Sequence, residues 1–437
     1  MPAKGIQHLG EHPMARNDIT LDHTHDPSAR SWVAGAADPG NAFPVQNLPF
    51  GVYRQAGSTD VFRSCAAIGN SIIDLAAVNA DYGPNLNYLA AAGRDTWRTL
   101  RHDLFALLTD EASKSRAAKY LHDQSAVEMG MPVACPNFTD FYTSYFHAFN
   151  AGSIFRPDAP MTPNFKWLPI AYHGRASSVV VSGQELRRPR GQRIVPGDDS
   201  PTYGPCLWLD HEVELGLVMG PGNAMGDAVS VDEAESHMFG VVLLNDWSAR
   251  DIQAFEYDPL GPFLAKSFAT TISPWIVTMD ALAPFRSPAF TRFAGDPDCP
   301  AHLDSEANRA QGHLDIQVEA YLQGADSEER SRLSRTSYTT SYWTPAQLVA
   351  HHTSAGCPLV PGDILGTGTI SGPTPEEAGT MLELSRAAQN PIKLSAGGTR
   401  TFIEDGDCIT LAGKCQREGF TPIGFGEASG RVLPVLP

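Results

Sequence analysis

LWLDHEVELGLVMG, residues 207–220, and FGVVLLND, residues 239–246, decide the fold. In the first, Leu207, Leu209, Val213, Leu215 and Leu217 fall on one strand face and leave Glu212 and Glu214 together on the other. Two carboxylates projecting in parallel ordinarily mean a solvated outer face. In the second, the apolar run is unbroken, which predicts a strand buried on both faces that ends in Asn245 and Asp246. An acid closing such a strand is unusual, although Asp246 also suits a cap on the SARDIQ turn that follows.

Working outward, SSVVVSG (177–183) and HLDIQVEAYL (313–322) add further strands, and 39 glycines with 34 prolines imply many turns. The expected class is therefore β-rich α+β rather than a helical bundle. At 437 residues and 42% hydrophobic content the chain exceeds one compact domain. Pro132 and Pro136 break periodicity in DQSAVEMGMPVACPNF, which predicts a boundary giving domains 1–132 and 133–437. In the first domain, strand-like segments from 41 to 92 precede a helix in which Trp97, Leu100, Leu104, Leu107 and Leu108 share a face, with Asp95 as its cap. The first thirty residues read as a polar, mobile tail, and its HTHD stretch receives no role. In the second, residues 285–312 read as a polar surface excursion and Glu185 as part of a surface turn, while Thr344-Pro345-Ala346-Gln347 opens a helix running to His351 and His352.

A formal charge of −17 repels polyanions and anionic membranes, so nucleic acid and membrane partners are not expected. A small anionic metabolite is still admissible, because local cations dominate within a Debye length. Seven scattered cysteines without a C-x-x-C pair, and an N-terminus lacking an apolar signal region, predict reduced thiols in the cytoplasm. There is no G-x-S-x-G elbow, and Pro373 and Pro375 follow GTGTISG (366–372) where a nucleotide-binding helix would have to start.

TDFYTSYFHAFNAG (139–152) reads as a helix started by Thr139 or Asp140, with Asp140 and His147 seven residues apart on nearly one face, about 10 Å along the axis. A histidine between aromatic residues is ordinarily a packed core residue. If Asp140, Glu212, Glu214 and Asp246 converge, the donors are all oxygen and select Mg²⁺, Ca²⁺ or Mn²⁺ over zinc. Arg250, Gln253, Tyr257 and Lys266 supply donors for an oxyanionic substrate, or are plain surface residues.

TDFY with His147 and Arg156, YHGRASSVVVSG, LDHEVE, NDWSARDIQAFEYDPLGPFLAKSF, TTISPW, and GTGTISGP with MLELS resemble the fumarylacetoacetase family over most of the chain. The resemblance implies a large mixed β-sandwich or roll catalytic domain, a small N-terminal SH3-like barrel and a homodimer. It implies hydrolysis of 4-fumarylacetoacetate to fumarate and acetoacetate, the last step of tyrosine and phenylalanine breakdown. It places a divalent cation on Asp140, Glu212, Glu214 and Asp246, with Lys266 and Thr270 alongside. His147 falls on the water-activating base, Glu383 on its partner, and Arg250, Gln253 and Lys266 on the oxyanion-stabilising group. Substrate contacts fall on Tyr142, Arg156, Tyr172, Arg250, Gln253, Tyr257 and Thr369. Aromatics around the base in TSYFHAFN, and Ala269 in place of a usual glycine, depart from the family pattern. The rivals are an acylpyruvate hydrolase or oxaloacetate decarboxylase on the same cage, and a non-catalytic metabolite-binding protein.

Overall fold

The computed structural model describes residues 20–436 other than 80, 81, 83, 84 and 196. The first nineteen residues of the expected tail lie outside these. The rest of that tail is built into the fold: His25 is buried and donates from Nε2 to the Asp280 carbonyl at 2.8 Å, while Asp22 accepts from His102 Nε2 at 2.7 Å. Thr24 Oγ1 also accepts from Arg101 Nε at 2.9 Å, so the HTHD stretch is fastened to the helix carrying His102, which corrects its reading as a mobile segment.

Strands β1 (Phe50–Gln55), β2 (Arg63–Ile68) and β3 (Ser71–Asp74) form an antiparallel meander. Helix α1 (Arg94–Thr109) follows, with Gly93 rather than Asp95 at its cap position. Two short strands, β4 (Leu121–Asp123) and β5 (Val127–Met129), complete a sheet of order β4-β3-β2-β1-β5.

The larger unit begins with β6 (Phe138–Tyr142), α2 (Tyr145–Phe155), β7 (Ile170–Gly174) and β8 (Val179–Val181). It continues through β9 (Val213–Met219), β10 (Met238–Asp246), α3 (Arg250–Glu256) and β11 (Thr270–Ile272). After β12 (Gln317–Gln323) come α4 (Pro345–Thr353), β13 (Ile364–Gly366), the short α5 (Met381–Leu384), β14 (Cys408–Cys415) and β15 (Ile423–Leu433). The main sheet runs β7-β6-β13-β9-β10-β11-β8 and is mixed, since β13 pairs β6 in parallel and β11 pairs β8 in parallel. A second sheet has β12, β14 and β15 at its centre.

Both faces of the main sheet are covered. Leu215 and Leu217 of β9 and Val241 and Leu243 of β10 join the second sheet's Val318, Leu411 and Phe425 in one apolar cluster. The opposite residues Val218, Val242 and Leu244 pack with Phe50, Trp97 and Leu100 of the N-terminal unit. The solvated face expected for an E-x-E strand does not exist. Its polar face is buried by another unit, and the acids occupy the end that this cover leaves for the site. The segment 207–220 also breaks in two: Leu209–Asp210 pairs with Ser248–Ala249, β9 starts only at Val213, and Leu207 is 51% exposed rather than in the core.

Three further local readings change. Asp140 lies in β6, in register with Tyr172 and Gly366, and the helix starts later, capped by Ser144. The common helical face for Asp140 and His147 is therefore wrong: one comes from a strand and the other from the first turn of the next helix. Glu185 lies on an exposed edge strand, Gln184–Arg187, rather than in a turn. The excursion 285–312 is partly packed, its Phe293 ring 4.6 Å from Tyr145 and its Phe290 in contact range of Phe146, which accounts for the aromatics on α2. The capping box at Thr344 and Gln347 forms as expected. Among the described residues, no helix is long and apolar enough to cross a membrane.

Candidate active site

Four strand-borne or strand-flanking acids meet where β6, β13, β9 and β10 end. Asp140, Glu212, Glu214 and Asp246 are all buried, and each offers an oxygen within 4.8 Å of the others. Lys266 donates to Glu212, and to Asp246 Oδ2 at 2.8 Å. Tyr172 Oη donates to the same Asp246 oxygen at 2.8 Å and Thr270 Oγ1 to its other oxygen at 3.0 Å. Asp246 therefore caps no turn; its carboxylate is turned into the cage. Gly368 N donates to Glu214 Oε2 at 3.0 Å from a residue with φ +73°, and a Cβ there would lie 2.0 Å from the Phe141 carbonyl. GTGTISG thus wraps the cage rather than a nucleotide.

Charge is unevenly compensated. Burial raises Asp140 well above the carboxylate range, helped by repulsion from Asp246. Burial likewise raises Glu214, helped by repulsion from Asp140. For Asp246, burial and Glu212 outweigh the attraction of Lys266, and the shift is again upward. Glu212 alone is held low: burial opposes it, but Lys266, Arg250 and His147 prevail.

The residues fit a divalent cation. Asp140 Oδ1 and Glu214 Oε1 are buried without a hydrogen-bond partner, which is costly for a carboxylate unless a cation meets it. A Cβ at Gly366 would approach Asp140 Oδ1 to 2.7 Å and Glu214 Oε2 to 3.2 Å, so the glycine keeps open the space beside both oxygens. The donors are hard oxygens, as Mg²⁺, Ca²⁺ or Mn²⁺ prefer.

Beside the cage lies a cavity of about 420 Å³ lined by Asp140, Glu212, Lys266 and His147. Arg250 Nη1 reaches Glu212 Oε1 at 2.8 Å and donates to Gln253 Oε1 at 3.1 Å, while its Nη2 is buried and unpartnered. Every substrate-contact position expected above lines this cavity: Tyr142, Arg156, Tyr172, Arg250, Gln253, Tyr257 and Thr369. Arg156 Nε and Thr369 Oγ1 are buried and unpartnered, so each keeps a free polar atom for a ligand. The Tyr142 ring stands edge-on to the His147 ring at 5.4 Å.

Glu383 accepts from His147 Nδ1 at 2.7 Å. A carboxylate can only accept, so Nδ1 carries a proton, and in the neutral ring Nε2 is the nitrogen with the lone pair. Burial works against the Glu383 carboxylate, but His147 and the hydrogen bonds prevail and keep it ionised. Three further donors hold it: Asn150 on Oε1 at 2.9 Å, and Ser371 at 3.0 Å and Thr380 at 2.9 Å on Oε2. These three escaped the sequence reading. Thr380 had a local signal, the capping spacing Thr380-x-x-Glu383; Asn150 and Ser371 had none. Asp210, which accepts from Arg250, was also missed.

This fold and pocket define a β-rich enzyme with a buried, oxygen-rich cation cage beside a histidine–glutamate pair. The chain belongs to the fumarylacetoacetate hydrolase family. It matches the family described as fumarylacetoacetate hydrolase C-terminal over residues 138–432 and fumarylacetoacetase N-terminal over residues 46–132. It is 44% identical to the fumarylacetoacetase of Arabidopsis thaliana, covering 90% of this chain and 96% of that one. The fumarylacetoacetase of Homo sapiens is 41% identical, covering 90% and 97%. Among solved structures, fumarylacetoacetate hydrolase from Exiguobacterium antarcticum shares the fold with a TM-score of 0.52 at 18% identity, covering 89% and 99%.

Proposed function

We infer that the chain hydrolyses 4-fumarylacetoacetate to fumarate and acetoacetate, the closing step of tyrosine and phenylalanine breakdown. The observation that carries this is a base pair, His147–Glu383, opening on the same cavity as a cage of four acids, in a chain 41–44% identical to fumarylacetoacetases. These relatives give no support to an acylpyruvate hydrolase or an oxaloacetate decarboxylase.

A divalent cation held by Asp140, Glu212, Glu214 and Asp246, with Lys266 and Thr270 alongside, would supply Lewis acidity toward the diketo oxygens. His147 Nε2 takes a proton from water, whose oxygen bonds to the carbonyl carbon next to the double bond. Glu383 holds the ring in this tautomer and faces the imidazolium that results. Arg250, Gln253 and Lys266 surround the tetrahedral oxyanion, where loss of one donor commonly costs about 3 kcal/mol. The carbon–carbon bond then breaks with its electrons on the acetoacetate side, that carbon takes back the proton His147 removed from water, and the new fumarate carboxyl releases its own proton to solvent. Tyr142, Arg156, Tyr172, Tyr257 and Thr369 orient the two carboxyl ends and the diketone.

Division at 132/133, a homodimer and a cytoplasmic setting belong to the same proposal. The matches over 46–132 and 138–432 support the first, the exposed apolar Leu260, Phe263 and Leu264 the second, and seven free cysteines the third. The test is loss of the diketone's ultraviolet absorption with purified, Mg²⁺-loaded protein, with fumarate and acetoacetate identified as products. Intact substrate with folded, loaded protein overturns the assignment.

A further inference from the structure

We propose that Asp210 is a positioning residue that ties Arg250 to the segment carrying Glu383, and so fixes the distance between the oxyanion side and the base side of the pocket. The proposal rests on the hydrolase reading above. Asp210 is fully buried, is outside the acid cage and does not line the cavity. All of its acceptor capacity goes to these two neighbours and its own chain. Oδ2 accepts from Arg250 Nε at 2.9 Å and from Leu382 N at 3.0 Å; Oδ1 accepts from Met381 N at 2.8 Å and from His211 N at 2.8 Å. Met381 and Leu382 are the two residues immediately before Glu383.

The backbone repeats the connection. Asp210 pairs in register with Ser248, and Arg250 N donates to the Trp208 carbonyl at 2.9 Å. With Nε on Asp210 and Nη1 on Glu212, the Arg250 guanidinium is left with Nη2 unpartnered on the cavity-lining residue. An ordinary ion pair would need one oxygen on Arg250. Here the same oxygen is shared with the backbone of the Glu383 turn, so neither side can shift without the other.

Asp210→Asn tests this, because an amide has only one acceptor oxygen and must turn its NH₂ toward a pair of N–H donors. We expect metal content to stay at the wild-type level and kcat to fall by about 10- to 100-fold with KM moving less, as misplacement of a reacting group commonly does. The loss should shrink when the change is made in an Arg250→Lys or Glu383→Gln background. The downfield proton resonance of the His147–Glu383 hydrogen bond, assigned by its absence in His147→Asn, should move in Asp210→Asn without any substrate. Asp210→Glu keeps the charge and shifts the oxygens by a methylene; it should reproduce the loss. A lower Tm with wild-type kcat and an unmoved resonance overturns the proposal, and so does failure of both variants to fold. If the wild type does not turn over the diketone but the resonance responds, the reaction is wrong and the tie stands.

Discussion

The acid cage and the His147–Glu383 pair lie side by side yet solve opposite problems. In the pair, every oxygen of the buried carboxylate has protein donors, from His147, Ser371, Thr380 and Asn150. In the cage, Asp140 Oδ1 and Glu214 Oε1 have none, and burial with mutual repulsion pushes both acids toward protonation. A site complete in itself needs no ligand to hold its shape; one left short of positive charge is shaped for a cation.

The largest effect that follows is on turnover. Stripping divalent metal with a chelator should abolish activity, and Mg²⁺, Ca²⁺ or Mn²⁺ should restore it, with metal measured by elemental analysis. Full activity in metal-free protein would erase the contrast between the two regions. Next, His147→Asn should retain metal, folding and substrate binding while the chemical step falls by about 10²- to 10⁴-fold. Single-turnover kinetics on the loaded variant measures this, and near wild-type chemistry would reduce His147 to a packed core residue.

Sharper still is the sign of a stability change. Asp140 and Glu214 have raised pKa values in the folded chain, so the folded state holds their protons more tightly than the unfolded one. Metal-free protein should then lose stability as pH rises above the ordinary carboxylate range, about 4, through the raised values, and regain it on acidification. Glu214→Gln should therefore raise Tm in metal-free protein at neutral pH and lower it in the presence of Mg²⁺, because it removes both the repulsion and a ligand. Thermal melts with and without metal from about pH 5 to pH 8 check this. A Tm lowered in both states would mean that the cage is satisfied without a cation.

The same contrast shows what a sequence can disclose. Asp246 was legible because a two-face-buried strand ending in an acid is locally abnormal, and Glu214 because strand alternation sets it apart from Leu215 and Leu217; Glu212 was paired with it on the same alternation, although it lies just before the strand. Asp140 was assigned to the wrong element: Thr139, Asp140 and Ser144 are all good cap residues, and only pairing with Tyr172 and Gly366, distant in the chain, makes 138–142 a strand. Glu383 was reached through family resemblance alone. Its partners Asn150 and Ser371 come from a helix and a loop whose meeting no local pattern encodes, whereas Thr380 and Glu383 share a short capping spacing.

The smallest predicted effect lies within the pair and tests whether it is as complete as its hydrogen bonds imply. Glu383 Oε2 accepts from three donors at once, His147 Nδ1, Ser371 Oγ and Thr380 Oγ1. Removing the Ser371 hydroxyl leaves two on that oxygen and Asn150 on the other, so no charge is stranded and the imidazole keeps its partner. Ser371 Oγ also accepts from Gly379 N at 3.0 Å, so its loss costs that bond too. Ser371→Ala should therefore cost about 2–3 kcal/mol in stability and no more than roughly fivefold in kcat, with metal affinity unchanged. Chemical denaturation, kcat and metal titration on one preparation separate these outcomes. A drop in kcat as deep as that of His147→Asn would mean that the pair is held by a single critical donor. In that case its stability against loss of a contact would be no better than that of the cage.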